Sequence, residues 1–251
     1  MGKLDGRVIL ITGAARGQGE QEARIFAEEG ARVVLADVLD DEGEAIAKEL
    51  GEDRARYLHL DVSQEDEWTA AVAAATDAFG KLDGLVNNAG ILRFNSLVKT
   101  PLEEYQQVVA VNQVGVFLGM KHAAPRIIDA GGGTIVNTAS YAGLAGMAGL
   151  TSYAATKAAI LGMTRVAAME LSRKQIRVNA ICPGAVDTPM SNPGDMEGLD
   201  DFYAKIVPLG RIGQPAEVAK MALFLSSDDS SYVTGQPFVI DGGWLSGISL
   251  D

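Results

Sequence analysis

Cysteine is nearly absent. Cys182 stands alone in 251 residues, so no internal disulfide can form. That usage suits a reducing compartment, and the expected location is the cytoplasm. Cys182 follows a strand-like run and reads as a small buried hydrophobe rather than a nucleophile. There are two histidines, His59 and His122, far apart and without cysteine neighbours, so no metal site is expected and both read as structural. Basic residues are in deficit: 21 Lys and Arg against 33 Asp and Glu give a formal charge of −12. Such a chain lacks the basic footprint that nucleic acid requires, and an acidic protein partner would be repelled unless a local basic patch received it. No apolar stretch reaches about 18 residues without a charge or a glycine, so no membrane span is expected. The opening residues, Met1 to Arg7, lack the apolar run of a signal peptide. Repeats, low-complexity tracts and linkers are missing too. What remains, 47% hydrophobic, is enough for one sizeable core, a single domain over 1–251.

Glycine and β-branched residues, by contrast, are placed with purpose. Arg7 to Thr12 is a short apolar run that stops at glycine, the pattern of a buried parallel strand. It enters Thr12-Gly13-Ala14-Ala15-Arg16-Gly17-Gln18-Gly19 and then a helical segment, Glu20 to Glu29, closed by Gly30. A strand, a glycine-rich turn and a helix start form a phosphate cradle, because glycines let the backbone approach while the helix N-terminus faces the anion. Gly13, Arg16, Gln18 and Gly19 are the candidate contacts there. The next strand, Arg32 to Ala36, ends at Asp37, 18 positions after Gly19, where an acid suits a ribose 2′-hydroxyl. A carboxylate at that place repels a 2′-phosphate and favours NAD over NADP. Arg16 pulls the other way and ranks below Asp37.

Asp40 to Leu50 reads as a helix and Arg54 to Leu60 as a third strand, followed by Asp61 and Val62 at its carboxyl end. Asp61 either accepts a hydrogen bond from an adenine amino group or caps a helix that begins near Ser63; both stay open. Glu65 to Phe79 is the returning helix, and the strand Leu82 to Val86 runs into Asn87-Asn88-Ala89-Gly90. Small residues and amides there let the backbone pass close to a bound ring while satisfying their own polar groups. This alternation predicts a parallel sheet covered on both faces, wound by right-handed crossovers into an α/β fold.

Glu103 to Ile128 is a long apolar helix that contains Asn112, which either satisfies itself or disturbs the ladder and holds a water. The strand Thr134 to Thr138 is followed by Ser140, 13 positions before Tyr153. Tyr153 to Leu171 is helical, which puts Tyr153 and Lys157 on one face. A cation ~5 Å from a phenol, at an effective dielectric of ~20, contributes roughly 3 kcal/mol and brings a pKa of about 10 down by about two units. That range suits a general acid/base. The strand Arg177 to Ile181 gives way to Pro183-Gly184, then Val186, Thr188 and Pro189. Asn192 to Asp201 is rich in Gly and Asp and reads as part of a substrate lid over 190–208. Pro215 to Leu225 is a helix, and Phe238 to Ile240 a last strand. Leu92, Phe94, Leu144, Met147, Leu150 and Met190 are candidates to line an apolar, adaptable substrate site. A serine hydrolase is excluded, since there is no G-x-S-x-G elbow and neither histidine is placed as a base.

Taken together and in order, T-G-A-A-R-G-Q-G, the D-V at Asp61, N-N-A-G, Asn112, Ser140, Y-A-A-T-K and P-G-A-V-D-T-P resemble the single-domain branch of the short-chain dehydrogenase/reductase family over nearly the whole chain. The resemblance implies a Rossmann-like, seven-stranded sheet and a nicotinamide cofactor. It implies that Tyr153 is the general acid/base, that Ser140 orients and polarises the substrate oxygen, and that Lys157 tunes Tyr153 and bonds the nicotinamide ribose. Asn112 would anchor a proton-relaying water, with the nicotinamide carboxamide meeting the backbone near Val186 and the Thr188 hydroxyl. Gln18 and Glu20 depart from the family, which more often has aliphatic residues there. Within the family the chain is most similar to bacterial hydroxysteroid and cyclic-alcohol dehydrogenases. The expected function is NAD-dependent interconversion of a bulky or cyclic secondary alcohol and its ketone. One alternative is an NADPH-dependent β-ketoacyl carrier-protein reductase, which Asp37 and the −12 charge disfavour. The other is a dinucleotide-sensing binding protein, which the intact Asn112, Ser140, Tyr153 and Lys157 set disfavours. The helices Glu103–Ile128 and Tyr153–Leu171 are apolar on too many sides for a free surface, and a second copy is expected against them. The resemblance extends this to a homotetramer.

Overall fold

The computed structural model describes residues 2–194 and 196–247; Met1, Asp195 and residues 248–251, which the expected domain and lid include, lie outside the described residues. β1 (Val8–Thr12) is buried along its whole length, and its side chains alternate between two cores. Val8 and Leu10 join Trp68, Leu85 and Ile135 in one; Ile9 and Ile11 join Phe26, Leu35 and Val86 in the other. Each such side chain contributes about 1.5–3 kcal/mol by leaving water, and a strand apolar on both faces needs helices over both.

The chain supplies those helices by alternation. α1 (Gly17–Glu28), β2 (Arg32–Asp37), α2 (Asp40–Leu50), β3 (Ala55–His59), α3 (Glu65–Phe79) and β4 (Gly84–Asn87) form the first half. The second half holds α4 (Leu102–Val109), α5 (Gly115–Asp129), β5 (Gly133–Thr138) and α6 (Thr151–Leu171), then β6 (Ile176–Pro183), α7 (Leu199–Ile206), α8 (Pro215–Ser226) and β7 (Pro237–Ile240). The strands pair in parallel in the order β3-β2-β1-β4-β5-β6-β7, the doubly wound, Rossmann-like sheet expected from the sequence. The order reverses between β1 and β4, which opens a crevice at their carboxyl ends. Among the described residues, no helix is long and apolar enough to cross a membrane.

Several boundaries differ from the sequence reading by a residue or two, and three of the differences have a local reason. α1 begins at Gly17 rather than Glu20, so the last glycines of the turn already belong to the first helical turn. β6 continues through Pro183, which pairs in register with Ile240 of β7; a proline is tolerated at a strand terminus. The long helix expected over Glu103–Ile128 is two helices joined by a π turn, Ala110–Val114, centred on Asn112.

Candidate active site

The floor of the crevice is the glycine turn knotted to the loop after β4. Gly13 has φ +66°, and a Cβ there would lie 2.8 Å from the Ala89 Cα; one at Gly19 would lie 2.2 Å from the Gly13 carbonyl oxygen. The Thr12 hydroxyl accepts from the N–H groups of Asn88 and Ala89, each at 3.1 Å, and donates to the Val86 carbonyl at 3.4 Å. Asn88 Nδ2 in turn donates to the carbonyls of Thr12 and Gly13, each at 3.1 Å. The first N–H groups of α1 are left facing the crevice, where the helix dipole favours an anion. Arg16 is exposed at the N-cap of α1, and its side chain makes no capping bond.

At one end of the crevice Asp37 is nearly buried and pinned. Its Oδ2 accepts from Ala15 N–H at 2.9 Å, and its Oδ1 from Val38 N–H at 2.7 Å and Leu39 N–H at 3.2 Å. Asp61 closes a tight turn instead of capping a helix that begins near Ser63: its Oδ1 accepts from the N–H and hydroxyl of Ser63, at 2.9 and 2.8 Å. α3 starts later, at Glu65, with Gln64 as its N-cap, so that half of the Asp61 alternative is corrected. Val62 lies on the wall of the same cleft, and its carbonyl accepts from Trp68 Nε1 at 2.9 Å.

At the other end the four residues named for chemistry converge. Lys157 is 3% exposed; its Nζ donates to the Thr138 carbonyl at 2.7 Å and lies 5.5 Å from the centre of the Tyr153 ring. A Cβ added at Gly90 would sit 3.3 Å from Asn112 Oδ1 and 3.6 Å from Lys157 Nζ, which brings β4, the π turn and α6 to one point. Ser140 follows β5, and its Oγ accepts from Ala142 N–H at 3.1 Å. Asn112 is fully buried. Both ends of its carboxamide go to Ile91, and its Nδ2 also reaches Thr156 Oγ1 at 3.4 Å.

The electrostatics here differ from the sequence expectation. Burial pushes the Tyr153 phenol above its ordinary pKa, and the neighbouring Ser140 hydroxyl pulls only partly against it. Burial likewise lowers Lys157 to about 8, so the cation is itself less firmly charged than the simple pair assumed. The expected depression of Tyr153 is therefore corrected for the protein alone. Loss of water outweighs one cation at this distance.

The facing wall comes from β6 and the loop beyond its carboxyl end. Gly184 N–H donates to the Ile240 carbonyl at 3.0 Å, Val186 bridges to Gly213, and the Thr188 and Ser191 hydroxyls lie 3.0 Å apart, with Ser191 also bonded to the Val186 carbonyl. Beyond them stands an aromatic group drawn from three distant segments. Tyr141 and Trp244 stack with ring centres 4.4 Å apart at 10°, and Tyr203 of α7 meets Trp244 edge-on at 6.0 Å. All three line the cleft, whose volume is about 450 Å³.

The residues fit a dinucleotide. Gly13 and Gly19 let the turn lie flat on the loop after β4, where any side chain would collide with that floor, an anchored carboxylate stands at one end, and two buried oxygens on the walls, Gln18 Oε1 and Thr138 Oγ1, have no hydrogen-bond partner. The model of the family described as enoyl-(acyl carrier protein) reductase matches residues 13–245. The 3-alpha-(or 20-beta)-hydroxysteroid dehydrogenase of Mycobacterium tuberculosis is 47% identical over 248 residues, 99% of this chain and 93% of the relative. The trans-4-hydroxycyclohexanecarboxylate dehydrogenase of Sinomonas cyclohexanicum is 44% identical, with 97% and 95% covered. The 3-oxoacyl-acyl-carrier-protein reductase of Thermotoga maritima is 42% identical, with 96% and 98% covered. The chain belongs to the short-chain dehydrogenase/reductase family. Like the dehydrogenases of that family it is an oxidoreductase that interconverts a secondary alcohol and a ketone with a nicotinamide dinucleotide.

For this short-chain dehydrogenase/reductase, the structure gathers every catalytic and cofactor candidate on or beside one cleft: Gly13, Arg16, Gln18, Asp37, Asp61, Val62, Asn88, Ala89, Gly90, Ser140, Tyr153, Lys157, Pro183, Gly184, Val186 and Thr188 line it. Gly19 and Asn112 sit directly behind it. The substrate candidates divide. Leu92, Leu150 and Met190 line the cleft, whereas Phe94, Leu144 and Met147 do not. Sequence reasoning missed Tyr141, Tyr203 and Trp244. The one available signal was position: Tyr141 adjoins Ser140, and Trp244 follows the Gly242-Gly243 turn at the carboxyl end of the last strand.

Proposed function

We propose that the protein is an NAD-linked dehydrogenase of bulky or cyclic secondary alcohols, with Tyr153 as the proton-transfer group. The observation that carries this reading is the convergence of Tyr153, Ser140, Lys157 and Asn112 beside the glycine turn, at the opposite end of the cleft from a pinned Asp37. Gly13, Gly19 and the first turn of α1 would hold the pyrophosphate. Asp37 would take the adenosine ribose, Asp61 and Val62 the adenine, and Asn88 to Gly90 the underside of the ring system. Pro183, Gly184, Val186 and Thr188 would meet the carboxamide. When bound, the dinucleotide supplies the hydride acceptor or donor.

The protein's own groups do the rest. Ser140 holds the substrate oxygen beside the phenol, which is positioning rather than covalent catalysis. Tyr153 takes the alcohol proton in oxidation and returns one to the carbonyl oxygen in reduction. Lys157, held by the Thr138 carbonyl, stabilises the phenolate once positive charge and exclusion of water strengthen its field. The Asn112 amide is committed to Ile91, so a relaying water near it would rest on a carbonyl freed by the π turn.

The pinned, nearly buried carboxylate of Asp37 favours NAD over NADP. The hydroxysteroid and cyclohexanecarboxylate relatives favour a cyclic substrate, as does the aromatic wall. The described residues of the segment 190–208, among them α7, would act as the lid expected there. Exposed apolar side chains on α5 and α6, Phe117 at 50%, Val166 at 54% and Met169 at 78%, favour burial against further copies of the chain, in a cytoplasmic homotetramer. The competing reading, an NADPH-dependent reductase of carrier-bound β-ketoacyl groups, draws on exposed Arg16 and on the Thermotoga relative. Steady-state rates across cyclic and linear ketones, each with NADH and with NADPH, separate the two. Preference for NADPH with a β-ketoacyl thioester over every cyclic ketone overturns the proposal, and a monomer in light scattering overturns the tetramer.

A further inference from the structure

Helix α1 carries three side-chain oxygens that the fold buries without a hydrogen-bond donor: Gln18 Oε1 and both carboxyl oxygens of Glu22. Glu22 is 0% exposed, on the buried face of α1 that also carries Ala23 and Phe26. Among the described residues nothing pairs with it. A bare carboxylate cannot persist there, and a group so placed keeps its proton instead. Burial indeed raises its pKa to about 8. A neutral acid has one O–H to donate, and the other orphaned acceptor on this helix, Gln18 Oε1, stands one turn before it. Positions 18 and 22 share a face, and long helical side chains lean toward the N-terminus, which tips Glu22 over Gln18.

The Gln18 carboxamide is itself divided. Its oxygen is buried, while its Nε2 makes no hydrogen bond within the protein and is not among the buried orphans; the residue lines the dinucleotide cleft. It stands between Gly17 and Gly19 in the first turn of α1, beside the cleft.

We propose that the Glu22 acid donates its proton to Gln18 Oε1 and so holds the Gln18 N–H₂ group turned into the cleft, as a donor to the dinucleotide phosphates. Gln18 is then a cofactor contact and Glu22 a positioning residue. The cofactor half rests on the function proposed above; the hydrogen bond between the two side chains does not.

Two measurements test the two halves separately. Difference infrared spectra of the protein alone at neutral pH, wild type minus Glu22→Gln, should contain a protonated carboxyl C=O band. That band should move to higher frequency in Gln18→Leu. A carboxylate in its place, or a band indifferent to Gln18→Leu, overturns the pair. Fluorescence titration with NADH reads the second half, with melting curves to confirm that each variant is folded. Gln18→Leu and Glu22→Met should each weaken binding about threefold to tenfold, the size of one hydrogen bond. Glu22→Gln, which keeps a donor, should rescue most of the loss. The double variant should bind no more weakly than Gln18→Leu alone. Undiminished binding in Glu22→Met, or losses that add in the double variant, overturns the positioning role. If the wild type bound no dinucleotide at all, the cofactor role would fall with the proposed function, while the infrared result would still decide the pair.

Discussion

Asn112 is bonded at both ends to a single residue, Ile91: its Oδ1 accepts from the Ile91 N–H at 2.8 Å and its Nδ2 donates to the Ile91 carbonyl at 2.9 Å. The pairing imitates a strand ladder inside a helix and fastens the π turn to the loop after β4. Asn112→Ala leaves two backbone groups unsatisfied, at about 1–3 kcal/mol each where they are buried. We expect a lower midpoint in urea and a lower kcat, because Gly90 and Lys157 lose their common reference. An unchanged midpoint would mean that the turn holds without the amide.

Tyr153→Phe removes the proton-transfer group and little else. The expected fall in kcat is roughly 10²- to 10⁴-fold, the usual weight of a positioned acid/base. NADH affinity should stay within about twofold, less than half the effect of one ordinary hydrogen bond. Retained turnover in stopped-flow assays would take Tyr153 out of the mechanism.

Asp37 should set the cofactor preference. Like charges ~5 Å apart at an effective dielectric of ~20 repel by roughly 3 kcal/mol, so Asp37→Ala should move the NADPH-to-NADH ratio of kcat/KM by a factor on the order of a hundred. Arg16→Ala should move the ratio in the opposite direction and by less, because Arg16 is exposed. Equal ratios in wild type and Asp37→Ala would sink this assignment.

Trp244 stacks on Tyr141 in the wall of the cleft, on a segment separate from the glycine turn. Trp244→Ala should raise KM for cyclic ketones by about threefold to tenfold, in line with ~0.5–1.5 kcal/mol for an aromatic pair, and leave the NADH dissociation constant alone. Trp244→Phe should recover most of the loss. A matching rise in KM for short linear ketones would point to a general disturbance of the wall rather than selection of ring-shaped substrates.

Stability should carry the mark of Glu22. Its folded pKa of about 8 lies above the unfolded value of 4.5, so the folded form holds its proton more tightly. The stability is therefore greatest below pH 4.5 and is lost as pH rises toward 8, by more than about 1 kcal/mol per pH unit, with no further loss above that. Glu22→Gln removes the penalty. The variant should melt well above wild type at pH 8 and nearly with it at pH 5; parallel curves would show that Glu22 does not titrate in this window.

What was legible in the sequence was mostly local. The glycine turn declares itself because three elements lie in one short stretch, and Tyr153 with Lys157 because a helix places them four apart. Residues that meet only through the fold were harder. Asn112 was seen, but its partner is the backbone of Ile91, so whether it satisfied itself or broke the ladder could not be read. Trp244 and Tyr141 have no pattern in common until β7 and β5 end at the same edge of the cleft. The Tyr153 proton affinity was misjudged for a different reason: a charge at one helical turn can be counted from spacing, whereas exclusion of water depends on everything packed around it. Phe94, Leu144 and Met147 are apolar like Leu92 and Leu150, and composition cannot say which of them faces the cleft.

Thr12 has one hydroxyl, and every bond it can form is in use: two amides of the β4 loop donate to it and it donates to Val86. That leaves nothing to loosen on the β1–β4 side. Any breathing that admits or releases a ligand must come from the opposite bank, and a hinge sought by hydrogen exchange should be looked for after Val186, with the Thr12 and Asn88 amides among the slowest to exchange.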